Sequence, residues 1–79
     1  MRHKIKLEDP HYDNIIDGRK KFEVRYNDRN YQLGDEIEFQ EADGCFERDR
    51  IWKIIFVQSG YGLKENFVVL GIELLEERP

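Results

Sequence analysis

Cysteine occurs once in this 79-residue chain, as Cys45, so no internal disulfide can form and a reducing, cytoplasmic location is expected. Histidine occurs twice, as His3 and His11, with no metal-ligand spacing; neither a metal nor a cofactor is implied. Threonine is absent and Ser59 is the only serine, which leaves little for hydroxyl-nucleophile chemistry. No apolar run approaches the roughly 18 residues that cross a bilayer. The opening Met1–Lys6 also lacks the apolar stretch of a signal peptide, so no membrane association is expected. No repeat, linker or low-complexity tract is present, and 1–79 reads as one domain with a small core.

What is present is charge and short alternating segments. Charged residues make up 38% and hydrophobic residues 39%, too apolar for a disordered chain. The net charge of −4 argues against indiscriminate nucleic-acid binding. Its distribution points elsewhere. Residues 1–30 hold eight basic against six acidic residues, leaving +2, and the remainder holds five against eleven, leaving −6. Such asymmetry suits a polyanion-binding face on an acidic body.

Ile5 and Leu7 alternate with Lys4 and Lys6, which predicts a first strand over 3–8. Asp9-Pro10 reads as a helix start, and Tyr12, Ile15 and Ile16 form one buried stripe of a two-turn helix. Gly18 stands where a left-handed cap is expected. Lys21 to Tyr26 alternates again, predicting a strand with Phe22, Val24 and Tyr26 inward and Lys21, Glu23 and Arg25 outward. Asn27–Asn30 and Leu33-Gly34-Asp35 are turns, the second leading into a strand with Ile37 and Phe39 inward and an acidic outer face. Asp43-Gly44 predicts a hairpin turn, and 51–57 a central strand packed on both sides with Trp52 in the core. Ser59–Gly62 is a flexible loop in which Tyr61 covers the barrel end, 67–72 is a last buried strand, and 76–79 fray. The expected class is mainly β with one short helix (α+β). Five short strands form a mostly antiparallel pseudobarrel whose opening the helix plugs.

Gly18-x-Lys20-x-x-Glu23-x-Arg25 resembles the G-x-K-x-x-E-x-R signature of the activating signal cointegrator homology (ASCH) domains, in the PUA-like superfamily of small β-barrels. The likeness extends to their bacterial and phage ASCH-like relatives of unassigned function, DUF3850. It is carried by Phe22–Arg29, a following aromatic, Gly34-Asp35 and Phe67–Ile72, and spans roughly residues 3 to 73. The resemblance implies a PUA-like pseudobarrel with a cleft between helix and barrel that takes RNA or nucleotides. One similar branch, amidohydrolases that deacetylate a modified cytidine, has a catalytic lysine at the position of Lys20 and a threonine nucleophile at that of Glu23. Glu23 departs from that branch, since a carboxylate does not serve as the same acyl acceptor.

The residue types fit such a site. Arg25 offers a planar fork for phosphate or a base edge, Lys20 sits at a helix-to-strand junction beside a glycine, and Glu23 can orient the guanidinium or accept from a base amino group. Lys4 and Lys6 extend the positive rim, Arg29 in the polar turn is a further ligand candidate, and Tyr61 can stack on a base. The leading expectation is an RNA- or nucleotide-binding module without catalytic residues. The first alternative is a small amidohydrolase acting on a modified nucleoside, a reading weakened by the scarcity of hydroxyl residues and by placing neither histidine near the motif. The second is a protein-interaction domain whose acidic Glu36–Glu41 strand and Glu-rich tail meet a basic partner.

Overall fold

The computed structural model describes residues 1–7, 11–41 and 50–77. The predicted Asp9-Pro10 helix start, the Asp43-Gly44 turn, Cys45 and residues 78 and 79 lie outside them. The elements run β1 (Arg2–Leu7), α1 (His11–Ile16), β2 (Phe22–Tyr26), β3 (Glu36–Glu41), β4 (Arg50–Gln58) and β5 (Phe67–Glu77). The five strands form one sheet in the order β1-β3-β4-β5-β2. Three of its ladders are antiparallel and β1–β3 is parallel, a pairing that needs the long crossover that α1 and β2 supply. The sheet is therefore mostly β, curled into a half-barrel, with a helix of six residues beside it. Among the described residues no helix is long and apolar enough to cross a membrane.

The concave face holds the core. Ile5 and Leu7 of β1, Ile37 and Phe39 of β3, Trp52 and Ile54 of β4, and Val68, Leu70 and Ile72 of β5 are buried there with Tyr12 and Ile15 of α1. Phe39 and Trp52 meet edge to face at 5.1 Å between ring centroids. β1 is pinned at its start by a buried polar pair: His3 Nε2 lies 2.7 Å from Asp35 Oδ2, which also accepts the Gln32 amide at 3.1 Å. These bonds hold the Asp35 carboxyl below its ordinary range, the contact with His3 contributing most. Gly34 enters this turn with φ +91°, a conformation that favours glycine.

Three expectations are corrected. β4 is not packed on both sides, because a register shift between Ile54 and Phe56 turns Ile55 and Phe56 to solvent. Phe56 instead lies against Gly71, where an added Cβ would come within 2.9 Å of the Phe56 Cβ. β5 does not fray at 76 and 77 but stays paired with β4 through Glu77. The largest change concerns β2. Its buried member is Glu23, at 5% exposure, while Phe22, Val24 and Tyr26 are 46%, 42% and 51% exposed. The alternation was legible; the face was reversed.

Candidate functional site

The two ends of the sheet, β1 and β2, approach each other without a backbone ladder between them among the described residues. Side chains bridge the seam instead. Arg25 Nη1 points to the Lys6 carbonyl at 3.5 Å, and Arg29 Nη1 donates to the Lys4 carbonyl. Beside this seam, under α1, lies an open cleft of about 810 Å³. It is lined from β1 by Lys6, from α1 by His11 and Asn14, from the following turn by Arg19 and Lys20, and from β2 by Glu23 and Arg25.

Local sequence explains how these side chains converge. Gly18 ends α1 with φ +81°, its amide bonding to the Ile15 carbonyl. The Lys20 amide then returns to the Asn14 carbonyl at 3.0 Å, folding the linker back along the helix. This places Lys20 Nζ 3.1 Å from Glu23 Oε1 and 3.0 Å from His11 Nδ1. A carboxylate this buried needs compensation. Lys20 supplies it directly, and Arg25 Nη1 adds charge at 3.6 Å from Glu23 Oε2.

The two cations are held differently. Of its three donors, the Lys20 ammonium commits one to Glu23 and one to His11. Arg25 meets only the long contacts of its Nη1, and among the described residues its Nε and Nη2 have no acceptor. Its fork is thus open to a ligand. Four cations, Lys6, Arg19, Lys20 and Arg25, line the cleft against one carboxylate. An excess of this kind favours an anion. Phe22, at the mouth, presents an exposed ring 5.3 Å from Lys20 Nζ, a platform on which a flat group can stack.

Of the residues predicted for the site, Lys20, Glu23, Arg25 and Lys6 come together here. Glu23 and Arg25 do so from the inner face of β2, not the outer one. Lys4 and Arg29 do not line the cleft; they meet each other at the seam. Tyr61 is 93% exposed, with φ +53°, and neither covers the barrel end nor reaches the cleft. Leu7, His11, Asn14, Arg19, Phe22 and Val24 are the lining residues that the sequence reading missed, and His11 in particular stands beside the motif, contrary to expectation. Their signal was present. His11 and Asn14 are three apart, on the helix face next to the Tyr12–Ile15 stripe, and the glycine cap returns that face to Lys20.

A family model described as domain of unknown function (DUF3850) matches residues 2–72, which include every lining residue named above. A protein of Escherichia phage P2, described as an uncharacterized 12.9 kDa protein in the GpA 3′ region, is 38% identical over 45 residues. That alignment covers 56% of this chain and 41% of the phage protein, so the chain spans less than half the length of that relative.

Proposed function

We propose that this chain, which belongs to the DUF3850 family, is an RNA- or nucleotide-binding module of the ASCH and PUA-like kind that takes a phosphate and its base into the seam cleft. The observation that carries the reading is the pairing of a Lys20–Glu23 bridge with an Arg25 fork that the protein itself leaves open. A guanidinium with its Nε–Nη2 edge free suits a phosphate bidentately. Glu23 keeps the neighbouring lysine in place and offers an acceptor for an exocyclic amino group. Phe22 replaces Tyr61 as the stacking residue, and an unstacked base is the form of RNA that such a platform takes.

The test is fluorescence anisotropy with a pool of short single-stranded and hairpin RNAs and with free nucleotides, at two salt concentrations. Binding is expected to weaken with salt. Arg25→Ala should reduce affinity by about tenfold or more, the worth of a charge-assisted bond. Lys20→Ala should do the same, with its melting curve recorded to separate binding from folding. Flat curves for the wild type overturn the reading.

His11 favours one alternative. With a histidine 3.0 Å from Lys20 and a buried carboxylate on the other side, the cleft holds groups able to move a proton, as hydrolysis of an acylated nucleoside requires. Turnover of an acylated nucleoside panel, abolished by Lys20→Ala, would establish it. The protein-interaction reading has less support, since Arg2 already engages both Glu36 and Glu38 of the acidic strand.

A further inference from the structure

The positive charge of the cleft stops at its edges. The chain carries −4 overall, and the five charged lining residues, Lys6, Arg19, Lys20, Glu23 and Arg25, carry +3, so everything outside the cleft carries −7. Along β1 the exposed row Arg2, Lys4 and Lys6 is met in register on β3 by Glu36, Glu38 and Gln40. The first two positions face a carboxylate; only Lys6, the one at the cleft, does not. Lys53 of β4 stands in register with Glu36 on one side and Glu73 on the other. Among the described residues each arginine outside the cleft also engages the chain's own acceptors. Arg2 bonds Glu36 and Glu38, Arg29 the Lys4 carbonyl and Arg50 the Ile16 carbonyl. Exposed Asp13 and Asp17 on α1, and Asp28 just past β2, stand on elements that line the cleft. A strand of RNA held along its length needs a basic groove that tracks its backbone. Beyond the cleft this surface is neutralised or acidic.

We infer that the ligand of the cleft ends in a phosphate monoester, as a free nucleotide or a phosphorylated strand end does, and is not the interior of a strand. The inference rests on the nucleotide-binding reading above and narrows it to one chemical class.

The donors inside the cleft point the same way. Glu23 holds Lys20 Nζ at 3.1 Å on one oxygen and has Arg25 Nη1 at 3.6 Å from the other, so both cations converge on one carboxylate. Arg25 keeps the two parallel donors of its Nε–Nη2 edge, and Lys20 keeps the donor that Glu23 and His11 leave. Together they match the three terminal oxygens of a monoester, which carries about −1.5 to −2 at neutral pH. An internal diester brings a single charge, fewer free oxygens, and chain to accommodate on both sides. Lys6 and Arg19 add charge that a dianion uses better than a monoanion. The volume of about 810 Å³ also lies within the range of about 300–1,000 Å³ that encloses a small molecule.

Isothermal titration calorimetry tests the inference. The ligands are the common nucleoside 5′-monophosphates, the unphosphorylated nucleosides, and short and long mixed-sequence RNAs with a 5′-phosphate, a 3′-phosphate or hydroxyls at both ends. Removing the terminal phosphate should lower affinity by about thirtyfold or more, and lengthening a phosphorylated RNA should leave affinity and salt dependence unchanged. Monophosphates that bind as tightly as phosphorylated RNAs would identify the free nucleotide as the ligand. A phosphorylated RNA that binds about tenfold better than the monophosphates would identify the strand end. Arg25→Lys keeps the charge but removes the fork, and should cut the preference for phosphorylated ligands by about tenfold while the melting curve reports that the variant is folded. A preference unchanged in that variant would overturn the inference. So would hydroxyl-ended RNAs that bind as well as their phosphorylated twins, or affinity that climbs with length; either result leaves the RNA-binding reading standing. Binding to none of these ligands would overturn both.

Discussion

β1 and β2 sit at opposite ends of the sheet, face each other across the seam, and both alternate charged with apolar residues. β1 buries Ile5 and Leu7 and leaves Lys4 and Lys6 exposed, Lys6 at the cleft. β2 buries Glu23, half-buries Arg25 and sends its apolar residues outward. The difference lies in what each strand finds on the concave side. β1 lies against β3 and under α1, where Phe39 and Ile15 complete an apolar core. The inner face of β2 looks across the open cleft, where a lysine three residues upstream and a carbonyl of β1 satisfy polar groups. Alternation states that neighbours point opposite ways; the surroundings decide which way is in.

The most forceful way to break this comparison is to truncate one apolar residue from each strand. Ile5→Ala should cost about 2–5 kcal/mol by opening a cavity in a filled core. Val24→Ala, on the open face, should stay within about 0.5 kcal/mol. Urea denaturation of dilute samples measures both, and equal losses would mean that β2 buries its apolar side after all.

A smaller effect sharpens the polar half of the comparison. Lys20→Met removes the nearest donor from a buried carboxylate and should cost about 1–3 kcal/mol. Adding Glu23→Leu should return part of that loss, since a missing pair is cheaper than half of one. A double-mutant cycle reads the coupling, and strictly additive losses would show that the pair is not energetically linked.

The smallest effect concerns the pin at the start of β1. Asp35 has its pKa lowered from the ordinary 3.8, first by its bond to His3. A carboxylate depressed in the folded state stabilises fully above its ordinary value, and that contribution is lost as pH falls through the lowered one. Wild-type stability should therefore drop below about pH 4. Asp35→Asn should be less stable at neutral pH and flatter over the acid range, as denaturation at stepped pH would record.

Much of this was readable from the residues. The alternation of β1 and β3, the Gly18 cap and the Gly34-Asp35 turn are local and carry one meaning each. The motif Lys20, Glu23 and Arg25 was legible as a group, and a lysine and a glutamate three apart do meet. The inner placement of that group was not, because a strand with one charged and one apolar face fits a sheet either way until its neighbours are known. His11 was missed for a related reason: its approach to Lys20 depends on how the linker after Gly18 folds back. The outward turn of Phe56 follows from a register shift that no periodicity announces.

The strand order has a consequence in time. Among the described residues the backbone of β2 pairs in the sheet only with β5, Phe22 with Gly71 and Tyr26 with Phe67. A chain leaving the ribosome therefore carries Lys20, Glu23 and Arg25 until Phe67–Gly71 have emerged without being able to arrange them. Such distant pairings close slowly, because loop entropy is lost before the contact is gained. The wall of the cleft that is first in sequence is built only after a strand some forty residues later, and a truncation before Gly71 dismantles it by removing the partner of β2.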